Sequence, residues 1–426
     1  MTFLHHAAYK ANAKLVRALI RKKANVNNNE HDHSYTPLMF AALAGSKETC
    51  QILLENGAKP DLYNSVNRTA TQMAAFVGQH QVVSLINNFF PKDALEYYTQ
   101  PHALETEARL PSKFCSPLYD IILNNNLSPV KISLMIQKTP AFLEESKKLC
   151  KFLDFLVEKM MKQKETNEIM AIKFHYLRHI LQAASQSAAE NKGSLGPWLK
   201  RLLRARQKDM CQEDVERFIR ASMKDFPYVE STLLQQVVRQ LAKTEIGNDP
   251  TAVSIMTSVI NGDRMPPEDD YPCWCCGDYG AEKKCSACKM VHYCSKDCQK
   301  LHWFTHKTFC EKLAEKYVEI QEMKKRQEEE EKRRKEEEEK KKEEEERKKL
   351  ESLEDDESIA VEVNEDNKSP EDTTNNKDPA EPSGVDSRTD KSSEDPYTVH
   401  VTPSKEDAED STPLSSDDIL LETNEP

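Results

Sequence analysis

A run of cysteine and histidine residues between positions 273 and 310 constrains the fold of this chain more than any other feature of its sequence. Eight of these residues form four pairs, whose members are separated by two, two, three and three residues: Cys273, Cys276, Cys285, Cys288, Cys294, Cys298, His306 and Cys310. Two ligands at such spacing can converge on one tetrahedral zinc ion from a tight turn or a helical face. The spacing therefore predicts two closed zinc sites, although it leaves open which pairs share an ion.

Disulfide bonds are the alternative interpretation of these cysteines. No succession of charged, apolar and small residues follows Met1, as a secretion signal would require. Disulfides are rare where thiols are kept reduced, whereas paired Cys and His at ligand spacing are typical of zinc sites. Cys275 is a surplus thiol, because using it in place of Cys273 would make adjacent ligands. His292 and His302 also fall outside the ligand positions.

The succession C-x2-C-x8-C-x2-C-x5-C-x3-C-Q-x6-H-x3-C, with Tyr293 before Cys294 and Trp303 near its end, resembles a MYND zinc finger. The resemblance implies two zinc ions bound in an interleaved way. One would be held by Cys273, Cys276, Cys294 and Cys298, and the other by Cys285, Cys288, His306 and Cys310.

The same resemblance implies a peptide groove in the finger. In MYND fingers that bind proline-containing peptides, the positions that match Ser286, Gln299 and Trp303 line the groove. An indole face can take a proline ring, and extended proline-rich segments lose little entropy on docking. The alternative is that Trp303 belongs to the core of this small domain.

A pattern of threonine, paired alanine and glycine repeats within residues 1–90 at a period of about 33 residues, which is typical of ankyrin repeats. The matching residues are Thr36, Pro37, Leu38, Ala41, Ala42 and Gly45, then Thr69, Ala74, Ala75 and Gly78, and before them Thr2, Leu4, His5, Ala7 and Ala8. We therefore expect about three repeats. The first has Ala11 and Lys23 where the second has Gly45 and Gly57, so its caps should be weaker. Because the pattern begins at Thr2 without a capping unit, we expect the N-terminus to be incomplete.

Residues 91–265 are predicted to be helical, because apolar residues recur at helical spacing and do not alternate with polar ones as in a strand. The predicted buried faces contain Leu149, Phe152, Leu153, Leu156 and Met160; Ile169, Ile172, Tyr176, Leu177 and Ile180; Val215, Phe218 and Ile219; and Leu234, Val237, Val238 and Leu241. His175 and His179 lie four residues apart on one such face, a spacing that suits a metal. Tyr176 stands where a zinc-protease helix needs glutamate, so a structural role is favoured.

After Cys310, blocks of glutamate alternate with blocks of lysine and arginine, each acidic block four residues before a basic one. This order favours i,i+4 ion pairs, and the absence of an apolar seam predicts a single charged helix over residues 311–350 instead of a coiled coil. Residues 351–426 are rich in acidic residues, Ser, Thr and Pro, which predicts a disordered acidic tail. The predicted fold class is therefore mostly α, with an ankyrin-repeat solenoid, an all-helical middle region, a small zinc-stabilised MYND finger, a charged helix and a disordered tail.

Composition limits the functions open to such a chain. A formal net charge of −12 argues against a nucleic-acid surface, which would need a basic stripe. No run of eighteen apolar residues is present, so we expect no membrane span. The sequence also lacks a phosphate-binding glycine loop and a nucleophile elbow, which predicts a protein without catalytic activity.

The order of ankyrin repeats, helical middle and C-terminal MYND finger resembles a family of ankyrin and MYND adaptors. The resemblance implies a cytoplasmic and ciliary protein that acts in the traffic of signalling membrane proteins, cyclases among them, to the primary cilium, with a link to Hedgehog signalling. One alternative is a nuclear corepressor-type adaptor that binds proline-leucine peptides. Another is a lysine methyltransferase, but in those enzymes the finger is inserted in the catalytic domain, whereas here a charged helix follows it.

Overall fold

The computed structural model describes residues 1–102, 105–262 and 270–362, and this part of the chain is mostly helical, as the sequence predicts. The helices are α1 (Phe3–Tyr9), α2 (Ala13–Arg21), α3 (Pro37–Leu43), α4 (Lys47–Glu55), α5 (Ala70–Phe76), α6 (His80–Asn88), α7 (Lys92–Glu96), α8 (Cys115–Leu123), α9 (Pro129–Gln137), α10 (Ala141–Glu144), α11 (Ser146–Lys162), α12 (Glu168–Glu190), α13 (Gly196–Leu203), α14 (Glu213–Lys224), α15 (Thr232–Lys243), α16 (Ala252–Asn261), α17 (Lys296–His306) and α18 (Cys310–Glu362). Two short strands, β1 (Lys283–Lys284) and β2 (His292–Tyr293), pair antiparallel. No helix within these residues is both long and apolar enough to cross a lipid bilayer.

Helices α1 to α6 form three helix pairs with a hydrophobic core of their own. The first helix of each pair begins after a threonine, and the hydroxyls of Thr2, Thr36 and Thr69 accept a hydrogen bond from a backbone N–H in the first turn. Such caps satisfy a donor that the helix itself leaves unpaired. The repeated threonine therefore marks the start of each unit.

The turns after the first helices require a left-handed backbone, and the repeats supply it differently. Gly45 and Gly78 have φ of 69° and 73°, whereas Ala11 occupies the same position of the first repeat with φ of 53°. Lys23 has φ of 65° where the second repeat has Gly57. A side chain in this region costs about 1 to 2 kcal/mol per residue, so the first repeat keeps the turn at the expense of backbone strain.

The middle region, α7 to α16, surrounds a second core that also includes the cysteine-rich segment. Helices α11 and α12 pack along each other, and the predicted apolar faces are largely buried. Val238 is an exception, because α15 buries the stripe of Leu234, Val237 and Leu241 and leaves Val238 exposed at its edge. The finger is thus part of the same core as the helices before it.

A polar network joins the ankyrin array to the middle region. Asn88 at the end of α6 donates to Asn261 Oδ1 (2.7 Å), and Asn261 donates to the carbonyl of Asn125 (2.7 Å). The fully buried ammonium of Lys173, on α12, donates to Asn88 Oδ1 and to the carbonyl of Asn124 (2.8 Å). Burial lowers the pKa of Lys173 to about 7. The titratable amine of Lys173 therefore lies at the junction between the array and the middle region.

Helix α18 runs from Cys310 to Glu362, past the predicted end at residue 350. Residues 351–362, predicted as the start of the disordered tail, contain no proline or glycine that would end the helix. The rest of that predicted tail, residues 363–426, lies outside the described residues, as does the predicted end of the middle region at 265.

The charged helix should lose helicity as salt is added. Ion pairs at i,i+4 join Glu322 to Arg326 (3.8 Å), Glu331 to Lys335 (2.8 Å) and Glu344 to Lys348 (2.9 Å), all exposed. Salt shortens the reach of exposed charges to about 8 Å at physiological ionic strength and about 3 Å at 1 M. Circular dichroism of a peptide of residues 320–350 should show a helix at low salt that declines in molar salt. A random coil at low salt would contradict the expectation.

Candidate metal centre

Two similar turns present the first four cysteines of the finger. In the first, the backbone N–H of Gly277 donates to the carbonyl of Cys273 (2.8 Å), and in the second, the N–H of Lys289 donates to the carbonyl of Cys285 (2.9 Å). Gly277 and Lys289 both have left-handed backbones, with φ of 79° and 57°. Each turn thereby points two thiols, three positions apart, in one direction.

The antiparallel pairing of β1 and β2 sends the next cysteines to opposite ends of the finger. Lys284 pairs with His292 and Lys283 with Tyr293, so Cys285, after β1, and Cys294, after β2, leave the ladder at opposite ends. Helix α17 then carries Cys298 in its first turn and His306 in its last, about 12 Å apart at 1.5 Å per residue. This topology produces the interleaved order of the ligand pairs.

The eight predicted residues meet in two groups of four. The first tetrad is Cys273, Cys276, Cys294 and Cys298, and the second tetrad is Cys285, Cys288, His306 and Cys310; within each, the possible ligand atoms lie within 4.8 Å of one another. In the first, Cys294 Sγ is 3.6 Å from Cys276 Sγ and 3.5 Å from Cys298 Sγ. In the second, Cys285 Sγ is 3.9 Å from Cys310 Sγ and 3.4 Å from His306 Nε2.

These distances suit zinc. Sulfur atoms about 2.3 Å from one ion at tetrahedral corners stand about 3.8 Å apart. Burial and the neighbouring thiols raise the pKa of Cys294 and that of Cys310. Thiols this close ionise together only with a dication between them. The finger therefore has two sites suited to zinc, in the grouping that the MYND resemblance implies.

The middle region supplies polar groups beside the first tetrad. Asn126 donates to the carbonyl of Cys276 (2.9 Å) and to Asp278 Oδ1 (2.7 Å), and Lys131 Nζ lies 2.5 Å from Asp278 Oδ2. Burial opposes the charge of Lys131, but the hydrogen bond and the charge of Asp278 outweigh it and raise the pKa of Lys131. Sequence reasoning missed these residues, because Asn126 and Lys131 precede the finger by well over a hundred positions and no local motif marks them.

The remaining cysteine and histidines of the finger have other surroundings. Cys275 is buried near the first tetrad but is not one of its four members. His302 is buried, and its Nδ1 lies 3.0 Å from the hydroxyl of Tyr293. His292 stacks on Tyr271 with ring centroids 4.2 Å apart. Neither histidine is a member of a tetrad, as the ligand spacing predicts, although the ring of His302 stacks on that of His306 at a centroid distance of 5.9 Å.

The predicted groove residues lie at the surface of the finger. Ser286 is exposed in the second turn, and Gln299 and Trp303 lie one helical turn apart on α17. Trp303 is 47% exposed, and its ring meets His306 at a centroid distance of 5.8 Å. One part of the indole thus rests against a residue of the second tetrad, and the other part is open to solvent.

The His175 and His179 pair lines a cavity of about 510 Å³ in the middle region. His175 is buried and its Nε2 lies 2.9 Å from the carbonyl of Ser222. Burial and the neighbouring His175 lower the pKa of His179 to about 4. In the part of the chain that the structure describes, the pair does not join any group of three possible metal ligands.

Comparison with known proteins identifies both recognisable modules. A family model of ankyrin repeats matches residues 1–64 in three copies, and one of the MYND finger matches residues 273–310. Dauer abnormal formation protein 25 of Caenorhabditis elegans is 33% identical over 319 residues, which cover 73% of this chain and 81% of that protein.

Other relatives match only a short segment. Zinc finger MYND domain-containing protein 10 homolog of Drosophila melanogaster is 49% identical over 45 residues, 11% of this chain and 10% of its own length. SET domain and MYND-type zinc finger protein 6 of Schizosaccharomyces pombe is 55% identical over 31 residues, 7% of this chain and 6% of its own length. The likeness to a SET protein therefore does not extend over most of that protein.

Proposed function

Since this chain belongs to the family of ankyrin-repeat and MYND-finger proteins that includes Dauer abnormal formation protein 25 of Caenorhabditis elegans, we propose that it is a non-enzymatic adaptor. Its ankyrin array and its finger bind different proteins and hold them together. The modules are of the protein-interaction kind, and the exposed indole of Trp303 on α17 is the observation that carries the proposal for the finger.

Zinc has a structural role in this proposal. The first tetrad binds one zinc ion through four thiolates, and the second binds another through three thiolates and His306 Nε2. Closed tetrahedral sites leave no position for a water molecule that could be activated. The ions therefore stabilise the fold of the finger and so fix the positions of its surface side chains.

The surface of the finger fits an extended, proline-containing peptide. Trp303 offers an open ring face that a proline can cover, and Gln299, one turn earlier, can hydrogen-bond a peptide backbone. Ser286 is exposed in the turn that carries Cys285 and Cys288 and can add a further polar contact. Because Trp303 also rests on His306, its orientation is restricted before a partner binds.

The ankyrin array offers a second surface. Tyr9, Leu43 and Phe76 occupy equivalent positions at the ends of α1, α3 and α5, and Tyr9 and Phe76 are 51% and 75% exposed. The guanidinium of Arg68 lies 4.8 Å from the centre of the Phe76 ring. Exposed aromatic residues of this kind often carry much of the energy of a protein interface.

The partners that we propose are signalling membrane proteins such as cyclases, which the adaptor helps to bring to the primary cilium, with an effect on Hedgehog signalling. The support is the resemblance to ankyrin and MYND adaptors together with the two exposed surfaces. The protein itself is proposed to work in the cytoplasm and the cilium.

Loss of either surface should impair this transport. Depletion of the protein from ciliated cells should lower the cyclase content of the ciliary membrane, and re-expression of wild-type protein should restore it. Trp303→Ala and Phe76→Ala should restore it poorly, because the loss of an interface hot spot costs about 2 kcal/mol or more, roughly 30-fold in affinity. Ciliary immunofluorescence provides the measurement.

Matched variants control for nonspecific damage. Tyr279→Ala removes another exposed aromatic side chain of the finger, and Leu15→Ala an exposed side chain of the array outside the Tyr9, Leu43 and Phe76 set. Both should restore transport. Normal ciliary cyclase content after depletion would contradict the proposal. A nuclear protein that binds proline-leucine peptides through Trp303 would support the corepressor alternative, and methyl transfer to a protein would support an enzyme.

A further inference from the structure

The turn before α9 and α9 itself lie beside the first tetrad. The side-chain amide of Asn126 donates one hydrogen bond to the backbone carbonyl of Cys276, in the first turn of the finger, and another to the carboxylate of Asp278. Lys131 contacts the other oxygen of the same carboxylate. Gly277 packs against the turn before α9, since a Cβ there would stand 3.5 Å from the side chains of Asn126 and Ser128.

Asp278 places a negative charge close to a predicted ligand. Its Oδ2 lies 3.4 Å from Cys276 Sγ. Four thiolates around a zinc dication carry two negative charges in excess, whereas the second tetrad, with an imidazole in place of one thiolate, carries one. A carboxylate at this distance from a thiolate opposes zinc binding unless a cation compensates it. Zinc binding at the first tetrad therefore needs a positive charge beside Asp278 that compensates the carboxylate.

Lys131 is placed to supply that charge. It shares a groove of about 510 Å³ with Lys138, between α9 and the finger, and the groove is also lined by Cys276, Cys294 and Cys298. Both lysines are on or directly after α9, yet only Lys131 has a contact with Asp278 among the ion pairs of the described residues. Side chains that orient and neutralise metal ligands from outside the coordination sphere strongly affect metal affinity.

We propose that Asn126 and Lys131 of the middle region are positioning residues of the first zinc site: Lys131 neutralises Asp278 beside the ligand Cys276, and Asn126 fixes the turn. The inference rests on the proposed binding of zinc by the first tetrad. It makes the finger depend on the middle region for metal retention. By linkage, zinc at the first site in turn stabilises the contact between α9 and the finger.

Zinc release from the full-length protein tests this proposal. Lys131→Met, which keeps an apolar stem but removes the charge, should speed the release of one of the two ions to a chromogenic chelator by about 10- to 100-fold. Lys131→Arg should stay near the wild-type rate. Lys138→Met, a loss of charge in the same groove, is the matched control and should release zinc as the wild type does. In cadmium-substituted protein, NMR should assign the affected ion to the four-sulfur site.

A double variant separates charge neutralisation from simple interface packing. If Lys131 acts by compensating Asp278, then Asp278→Asn should restore slow release to Lys131→Met, because the charge that opposes the thiolates is gone. If the pair only joins the two regions, the double variant should release zinc as fast as Lys131→Met or faster. Asn126→Ala is a second variant and is expected to speed zinc release from the same site. It tests the proposal if Lys131→Met does not fold.

The outcomes distinguish this inference from the proposed function. Wild-type protein without zinc would overturn the zinc-dependent adaptor and the inference together. Wild-type protein with two zinc ions, combined with unchanged release from Lys131→Met and Asn126→Ala, would overturn the inference alone. Equal acceleration by Lys131→Met and Lys138→Met would also overturn it, because a general effect of groove charge would then suffice.

Discussion

Replacing Cys294 by serine should remove zinc from the finger and unfold it, while the ankyrin array stays folded. Structural zinc contributes about 10 to 16 kcal/mol of apparent binding energy in small fingers, more than this short segment can replace by other contacts. The two tetrads interleave along the chain, so loss of the first displaces α17, which carries ligands of both. The array has a separate hydrophobic core, whereas the finger shares its core with the middle region.

Metal analysis and hydrogen exchange measure this effect. Wild-type protein should carry two zinc ions per chain, and Cys294→Ser should lose them, with faster exchange in the finger and in α9 but not in α3 to α6. Cys275→Ala is the matched control, because Cys275 is a buried cysteine of the same segment outside both tetrads. It should keep both ions. One zinc ion or none in the wild type, or equal loss from the two variants, would contradict the two-site interpretation.

The metal centre could be predicted from the sequence because its information is local. Two ligands separated by two or three residues must lie near each other whatever the rest of the chain does, so four pairs already imply two ions. The grouping of the four pairs into two tetrads could not be derived from their spacing. It depends on the opposite ends at which Cys285 and Cys294 leave the β1 and β2 ladder and on the length of α17. Spacing does not contain that information, which came from the resemblance to MYND fingers.

The surroundings of the sites could not be predicted, because they depend on contacts between distant segments. Lys131 reaches Asp278 across 147 positions, and Lys173 reaches Asn88 across 85. Periodicity placed Ile172 and Tyr176 on a buried face of α12, and Lys173 is buried there as well. A helical pattern distinguishes apolar from polar faces, but it does not show where a second element covers a polar residue.

Lys173 should make the protein more stable as the pH rises from about 7 to about 10. In the unfolded chain a lysine has a pKa of about 10.4, whereas burial lowers the pKa of Lys173 in the folded protein to about 7. Below pH 7 both states carry the proton, and the full penalty of burying the charge is present. Between the two pKa values the unfolded state binds more protons, so the free energy of unfolding rises by up to about 1.4 kcal/mol per pH unit.

Lys173→Met should remove this contribution and flatten the profile by several kcal/mol across that range, an order-of-magnitude expectation from the same linkage relation. Chemical denaturation followed by circular dichroism, at pH values from 6 to about 10.5, provides the measurement. Cysteines and tyrosines titrate in the same range, but they do so in both proteins, so the difference between the two profiles isolates Lys173. Lys151→Met, which removes an exposed lysine of α11, should leave the slope unchanged. Equal slopes for wild type and Lys173→Met would show that Asn88 Oδ1 and the Asn124 carbonyl compensate the buried charge fully, and that the junction between the array and the middle region does not respond to pH through this residue.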